Sequence, residues 1–104
     1  MRTTVTVRHG EVPERLRARA EVVLGRLAAH SSRPVNGTVV FDTSAKQSRA
    51  EIRLHISRGA MYIAKGEGVN HRSALDKAEE KLRRQLEKRP ARTRRRTPVA
   101  RNKA

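Results

Sequence analysis

Residues 48–56, SRAEIRLHI, alternate apolar and polar side chains along their whole length. Successive side chains of a β-strand point to opposite faces, so this pattern predicts a strand with one face in a core and one in solvent. The apolar face consists of Ala50, Ile52, Leu54 and Ile56. We therefore expect a sheet that is covered by a second layer on one face only.

Strand-like segments lie on both sides of this central strand. Residues 35–42 (VNGTVVFD) and 60–67 (AMYIAKGE) have the composition and length of strands. Only the short segments 43–47 and 57–59 separate them from the central strand. Connections of that length join antiparallel neighbours, so the three strands are predicted to form two successive hairpins.

Two amphipathic helices flank the hairpins. The first begins at Pro13, which suits the first helical position, and runs to about His30. The second begins after Asn70, a good N-cap residue, and runs to about Arg89, where Pro90 stops it. The apolar stripes are Leu16, Ala20, Val23, Leu24 and Leu27 in the first helix and Leu75, Ala78, Leu82 and Leu86 in the second.

Residues 2–8 (RTTVTVR) add a β-branched strand before the first helix, which makes the element order β-α-β-β-β-α. A helical crossover after this strand favours parallel pairing with a neighbour, whereas the hairpins are antiparallel. The predicted fold is therefore α+β, a two-layer sandwich in which a four-stranded mixed sheet carries both helices on one face.

The chain is strongly basic. Its 104 residues include 25 Lys or Arg and 10 Asp or Glu, which gives a formal net charge of +15. An excess of this size indicates a polyanionic partner, either nucleic acid or an anionic membrane surface. Neither helix carries large aromatic or bulky apolar residues beside its basic ones, as interfacial helices do, so we favour nucleic acid and expect no membrane partner.

Several classes of protein are excluded by what the sequence lacks. It has no cysteine, which rules out disulfides, thiolate metal sites and cysteine nucleophiles. No apolar stretch is long enough to span a bilayer, and the N-terminal residues do not resemble a signal peptide. We therefore expect a cytoplasmic protein.

No catalytic, metal or cofactor motif is found. Gly66 and Gly68 precede a helix, but the third glycine and the Lys-Ser/Thr ending of a phosphate-binding loop are missing. The histidines, which are not at ligand spacing within one predicted element, are His9, His30, His55 and His71. We predict a non-enzyme with no metal, no cofactor and no small-molecule substrate, in which these are ordinary surface histidines.

The charges of the second helix separate by sign on a helical wheel. Four basic residues fall within about 60° of one another on one side of the apolar stripe. This basic flank consists of Lys77, Lys81, Arg84 and Lys88, and the opposite, acidic flank of Asp76, Glu79, Glu80 and Glu87, with Arg83 among them. In the first helix Arg15, Arg19 and Arg26 likewise share one flank. Solubility alone could require such charges, but a row of phosphates explains a one-sign stripe better.

The composition changes near residue 89. Residues 89–104, RPARTRRRTPVARNKA, contain seven Lys or Arg, two Pro and no acid. Like-charge repulsion and scarce apolar residues predict a disordered tail at 90–104 after a folded domain at 1–89. A nuclear localisation signal or a nonspecific electrostatic anchor is an alternative role for the tail. The basic residues near this end that we predict to contact nucleic acid are Arg89, Arg92, Arg94, Arg95 and Arg96.

Residues 62–88, YIAKGEGVNHRSALDKAEEKLRRQLEK, resemble the ribosome hibernation promoting factors, also called the ribosome-associated inhibitor or sigma-54 modulation protein family. The shared pattern is a strand ending in Glu-Gly at 67–68, the cap Asn70, an Ala-Leu-Asp step at 74–76 and the segment 80–86, EKLRRQL. The order and spacing of these parts are what make the resemblance specific.

The resemblance extends over about residues 2–89 and implies a domain similar in architecture to double-stranded RNA-binding domains. It implies a factor that binds small-subunit rRNA in the channel used by mRNA and tRNA and so silences idle ribosomes. The rRNA contacts that it implies by position are Lys81, Arg84 and Lys88, and the charge pattern adds Lys77, the arginines of the first helix and those of the tail. A generic double-stranded RNA or nucleoid-binding protein is the alternative.

Two departures from the family pattern bear on the site. Arg72 replaces a Tyr that is common in the first turn of the second helix. Long family members carry a separate C-terminal dimerisation domain, which nothing after Leu86 could form. The resemblance therefore implies a short form, which we expect to be monomeric when free.

Overall fold

The computed structural model describes residues 1–31, 33–57 and 60–88. Its elements follow the predicted order. They are β1 (Arg2–Val7), α1 (Glu14–Ala28), β2 (Pro34–Ser44), β3 (Gln47–Ile56), β4 (Ala60–Gly68) and α2 (His71–Lys88). No helix in these three ranges is long and apolar enough to cross a membrane.

The four strands form one mixed sheet in the order β1-β2-β3-β4. Strand β1 runs parallel to β2, with Val5 opposite Val39, because α1 returns the chain to the start of the sheet. The β2–β3 and β3–β4 pairs are antiparallel, and they place Val39 opposite Ile52 and Ile52 opposite Ala64. The predicted parallel crossover and both predicted hairpins are confirmed.

Both helices pack on the same face of the sheet, and the core lies between the two layers. Phe41, Ile52 and Leu54 are fully buried on the strands. Full burial of such a side chain stabilises a fold by about 1.5–3 kcal/mol, so the stripes of the two helices determine where they lie. The buried helix residues are Leu16, Ala20, Val23, Leu24 and Leu27 in α1 and Ala74, Leu75, Ala78, Leu82 and Leu86 in α2.

Several boundaries differ from the prediction by one or two residues, including the end of α1, which lies at Ala28 rather than at about His30. Pro13 is the N-cap of α1 rather than its first helical residue, because its ψ of 153° is extended. Strand β2 continues to Ser44 and strand β3 already begins at Gln47, so the loop predicted at 43–47 is only a two-residue turn. Both turn residues have positive φ, 50° at Ala45 and 66° at Lys46, as in a type I′ hairpin turn.

The start of α2 is as predicted. The Asn70 Oδ1 accepts a hydrogen bond from the Ser73 backbone N–H at 2.8 Å, which satisfies one of the free donors of the first turn. His71 holds the same turn on the sheet, since its Nε2 lies 3.0 Å from the Asp42 carbonyl oxygen. The beginning of α2 is therefore fixed by two side-chain contacts.

Candidate nucleic-acid interface

The basic flank of α2 lies beside the open edge of the sheet. Strand β4 is an edge strand, and α2 packs over β4 and β3. All four side chains of the flank, Lys77, Lys81, Arg84 and Lys88, are exposed. The helix therefore presents a row of cations to solvent along one edge of the molecule.

A close approach between α2 and β4 at Gly66 sets the position of this row. A Cβ on Gly66 would lie 2.2 Å from the Ala74 carbonyl oxygen and 2.7 Å from the Ala78 nitrogen. Since Cβ atoms essentially never come within 3.0 Å of such atoms, only glycine allows this approach. Lys77 is next to the contact, because the same Cβ would lie 3.1 Å from its own Cβ. Gly66 thus brings the helix close to the sheet and belongs to no phosphate-binding loop.

Two side chains of α2 bind the main chain of the edge strand. The Lys81 Nζ donates a hydrogen bond to the Lys65 carbonyl oxygen at 2.9 Å. One turn later, the Gln85 Nε2 donates to the Ile63 carbonyl oxygen at 3.0 Å. These bonds occupy edge carbonyls that would otherwise be open to pairing with another strand. They also hold the ammonium group of Lys81 in a defined place.

A groove of about 500 Å³ adjoins the basic flank at this end of the sheet. Its charged lining consists of Arg8, Arg49, Lys65, Lys77 and Lys81 and of the acids Asp42, Glu51 and Glu67. The groove therefore contains more cations than anions, and two of its lysines belong to the basic flank.

Each acid of the groove has a basic partner. The pairs are His9–Asp42 at 2.8 Å, Arg49–Glu67 at 2.9 Å and Arg53–Glu51. The hydrogen bond from His9, followed by the one from the Thr43 backbone N–H, lowers the pKa of Asp42 below its ordinary value. In the described part of the chain, no ion pair involves the lysines of the groove. These lysines, together with Arg8, supply its excess positive charge.

The arginines of α1 occupy a different place from the basic flank of α2. An Arg19 Nη lies 3.1 Å from Asp76, and Arg26 forms two hydrogen bonds with Glu79 at 3.0 and 3.1 Å. These pairs join α1 to the acidic flank of α2, and the Glu79 side chain is only 13% exposed. Arg15 is exposed. The structure thus holds two of the three predicted α1 contacts on carboxylates, and all three remain predictions as rRNA contacts.

The ion pairs between the two helices could not be predicted from a separate helical wheel for each helix. Each charged flank, taken alone, looks solvent-facing. The sequence nevertheless contains a signal for these pairs. Two helices on the same face of a sheet lie side by side, so one flank of each helix must face the other, and opposite charges on those flanks attract. Among the remaining predicted contacts, Arg84 donates to Glu80 at 2.8 Å. Arg89, Arg92, Arg94, Arg95 and Arg96 lie outside the described residues.

Two of the four histidines, His9 and His71, make structural contacts. His9 pairs with Asp42, and His71 contacts both the Asp42 main chain and, edge-on, the ring of Phe41 at 5.7 Å between centroids. His71 is therefore a link between α2 and β2 rather than an ordinary surface histidine. Within residues 1–31, 33–57 and 60–88 there is no cluster of three or more side chains that could hold a metal ion.

Comparison with protein families decides the identity of this basic α+β domain. Residues 3–94 match the family described as sigma 54 modulation protein / S30EA ribosomal protein. The chain belongs to the S30EA family. The match covers nearly all of the predicted domain and extends a few residues into the tail. The family consists of non-enzymatic factors, so this S30EA protein is not an enzyme.

Solved structures support the same conclusion. The N-terminal domain of Protein Y from Thermus thermophilus is 25% identical, with a TM-score of 0.71, and the alignment covers 83% of this chain and 96% of that domain. A ribosomal subunit interface protein from Coxiella burnetii is 20% identical, with a TM-score of 0.75, and the alignment covers 88% of this chain and all of that one. The second likeness concerns the fold alone. The comparison with curated protein sequences gives no significant match.

Proposed function

We propose that this S30EA protein binds rRNA of the small ribosomal subunit, in the channel used by mRNA and tRNA, and silences idle ribosomes. The observation that supports the proposal is the different surroundings of the two charged flanks of α2. Two residues of the acidic flank, Asp76 and Glu79, are turned towards α1, where they pair with Arg19 and Arg26. The other two, Glu80 and Glu87, pair with Arg84 and Arg83 of α2 itself. The basic flank is left exposed along the edge of the sheet. The domain thus shows its positive side to a polyanion.

The basic flank has a length that suits a nucleic-acid backbone. Lys77 and Lys88 are three turns apart, which is about 16 Å along the helix axis. A row of this length can meet several phosphates, and each neutralised phosphate releases counterions. Lys77 and Lys81 continue the row into the adjoining groove, where Lys65 adds a further cation.

The aromatic residues favour backbone and shape recognition over base stacking. Proteins that hold single-stranded bases usually offer exposed aromatic rings. Phe41 is fully buried, and Tyr62 is partly buried against the core. Structured rRNA is recognised largely through its shape, phosphates and 2′-hydroxyls, which requires no such platform. We further propose that the protein acts in the cytoplasm, is monomeric when free and needs no cofactor for this binding.

A charge-reversal variant tests the proposal. The full-length chain with Lys81→Glu, Arg84→Glu and Lys88→Glu is compared with the parent by co-sedimentation with small subunits and with whole ribosomes. We expect ribosome association to be abolished. Exposed substitutions of this kind usually change stability by less than about 0.5 kcal/mol each, so the thermal transition reports whether the fold is kept.

A matched control separates the location of the charges from their number. Arg2→Glu, Arg33→Glu and Lys46→Glu change the net charge equally at exposed positions away from α2, and this variant should still sediment with ribosomes. A flank variant that folds normally and still sediments would contradict the proposal. Equal, salt-labile binding of the parent to ribosomes, duplex RNA and DNA would instead indicate the generic nucleic-acid binder.

A further inference from the structure

The two edges of the sheet differ in how their main chain is covered. At the β4 edge, side chains of α2 donate hydrogen bonds to main-chain carbonyl oxygens, Lys81 to Lys65 and Gln85 to Ile63. Helix α1 packs over β1 and β2 at the other edge. The side-chain hydrogen bonds that α1 forms within the described residues go to α2 instead of to β1. One edge of the sheet is therefore covered by its helix, and the other is open.

The open main-chain groups of β1 belong to alternate residues. The Arg8 N–H donates a hydrogen bond to the Phe41 carbonyl oxygen of β2 at 2.9 Å. Because the main-chain groups of successive residues point to opposite sides of a strand, every second residue before Arg8 also faces β2. The N–H and C=O groups of Thr3, Val5 and Val7 point away from the sheet, and we call these three residues the β1 edge.

The β1 edge lacks the features by which proteins usually prevent the pairing of an open edge with a further strand. Such features include charged side chains, proline and bulges. Residues 3–7, TTVTV, contain no charge, proline or glycine. The pairing of β1 with β2 is uninterrupted from Arg2 to Val7. All five residues of this stretch are β-branched and suit an extended conformation, so β1 is suited to accept another strand.

The margin of the core indicates which side chains an added strand would carry. Val5 and Val7 pack against the core but are only partly buried. Thr3, which points to the same face of the sheet, is exposed. Side chains that lie opposite one another on paired strands are in contact. A partner strand with apolar residues at these positions would complete the burial of the two valines.

The charges at the two ends of β1 determine which partner is favoured. Arg2 and Arg8 flank the uncharged stretch, and no ion pair of the described residues includes either. In antiparallel pairing with a second copy about Val5, Arg2 would lie opposite the Arg8 of that copy, and like charges directly opposite are destabilising. Two chains with a net charge of +15 would also repel one another. Acidic residues at the ends of the partner strand would turn both repulsions into attractions.

We propose that the β1 edge binds an extended acidic segment of a partner protein as a fifth strand. The segment alternates apolar residues, which face Val5 and Val7, with polar ones, and it has an acidic residue opposite each of Arg2 and Arg8. Main-chain hydrogen bonds supply the affinity, and the alternation and end charges supply the specificity. The basic flank lies at the opposite edge of the sheet, so a bound segment leaves it uncovered.

A synthetic heptapeptide tests this surface on the full-length chain. The acetylated and amidated peptide Glu-Val-Thr-Val-Thr-Val-Glu places valines opposite the β1 edge and a glutamate opposite each flanking arginine. We expect two-dimensional NMR to show shifts in the N–H signals of Thr3, Val5 and Val7. A peptide with lysine at both ends should not bind. A peptide with proline for the central valine has no N–H to donate to Val5, and it should bind about fivefold more weakly, the effect of one hydrogen bond.

Two substitutions at one exposed position separate the contribution of the main chain from that of the side chain. Thr3→Pro removes an outward N–H without removing a hydrogen bond to β2, and it should weaken binding of the glutamate peptide by about fivefold. Thr3→Ala keeps the N–H and should change the affinity less than twofold. The thermal transition reports whether Thr3→Pro folds, and the peptide series decides the question if it does not.

Several results would overturn the proposal. These are equal binding of the glutamate and lysine peptides, equal effects of the two Thr3 substitutions, and shifts confined to the basic flank. A dimer of the parent chain that Thr3→Pro dissociates would overturn the acidic partner and assign a second copy of the chain to the β1 edge. Since all these measurements use the free protein, their outcome does not depend on whether the protein binds ribosomes.

Discussion

Replacement of Gly66 by alanine is expected to displace α2 from the sheet. The new Cβ would lie 2.2 Å from the Ala74 carbonyl oxygen, well inside the 3.0 Å limit. It would also lie 2.7 Å from the Ala78 nitrogen. Both neighbours are backbone atoms of a helix, so no side-chain rotation can relieve the contact. Either α2 must move outwards or β4 must bend, and both disturb the packing of the helix on the core.

The size of the effect follows from the cost of overpacking. Extra atoms in a packed core typically cost about 1–3 kcal/mol, and contacts with rigid backbone belong at the upper end of that range. For a domain of this length, a loss of about 3 kcal/mol lowers the melting temperature by roughly 12–24 °C.

Gly25→Ala is the matched control, because it adds the same methyl group to a helix with nothing within 4 Å. It should stabilise the protein by about 1 kcal/mol through helix propensity.

Thermal and urea unfolding of the parent and the two variants measure these differences. We expect opposite signs for the same chemical change, with Gly66→Ala destabilising and Gly25→Ala stabilising. Unfolding of Gly66→Ala within about 0.5 kcal/mol of the parent would refute the reasoning, because surface changes without packing consequences fall in that range. Destabilisation by Gly25→Ala would refute the claim that its surroundings are open.

Two further predictions concern the tail and the pH dependence of stability. Deletion of residues 90–104 should lower the salt slope of ribosome affinity by roughly 2 to 3, with almost no change in melting temperature, and equal slopes would show that the tail is not on RNA. The folded-state pKa of Asp42 is below its ordinary value of 3.8, so its carboxylate favours the folded state above that pH and loses this effect as the pH falls below it. His9→Ala should therefore destabilise the protein at neutral pH and progressively less in acid, as measured by urea unfolding, and an equal deficit at both would contradict this.

The sheet could be predicted from the sequence because its signals are local. The alternation in 48–56 identifies β3, and short connections require its neighbours to be antiparallel. The β2–β3 turn was predicted too long because Ala45 and Lys46 have none of the Asn-Gly chemistry that usually marks a two-residue turn. Register across the hairpin, together with the sheet twist, holds these two residues in the left-handed region. That constraint is visible only when both strands are in place.

The site could be predicted in part for the same reason. Alignment of the basic flank follows from helical spacing within α2. The partners of the α1 arginines do not, since Arg26 and Glu79 are 53 residues apart in the chain. Only the parallel packing of the two helices brings them together.

The hydrogen bond between Lys81 and the main chain of β4 has a consequence for the entropy of binding. A free lysine side chain loses up to about 2 kcal/mol of rotamer freedom when it is immobilised. The Lys81 Nζ is already held 2.9 Å from the Lys65 carbonyl oxygen, so much of this freedom is lost when the protein folds. An ammonium group has three N–H donors, and the remaining two can bind a phosphate while the first stays in place. Lys81 is therefore ordered before any ligand arrives, and the phosphate contact that the proposed function assigns to it would require less further ordering than that of a freely moving lysine.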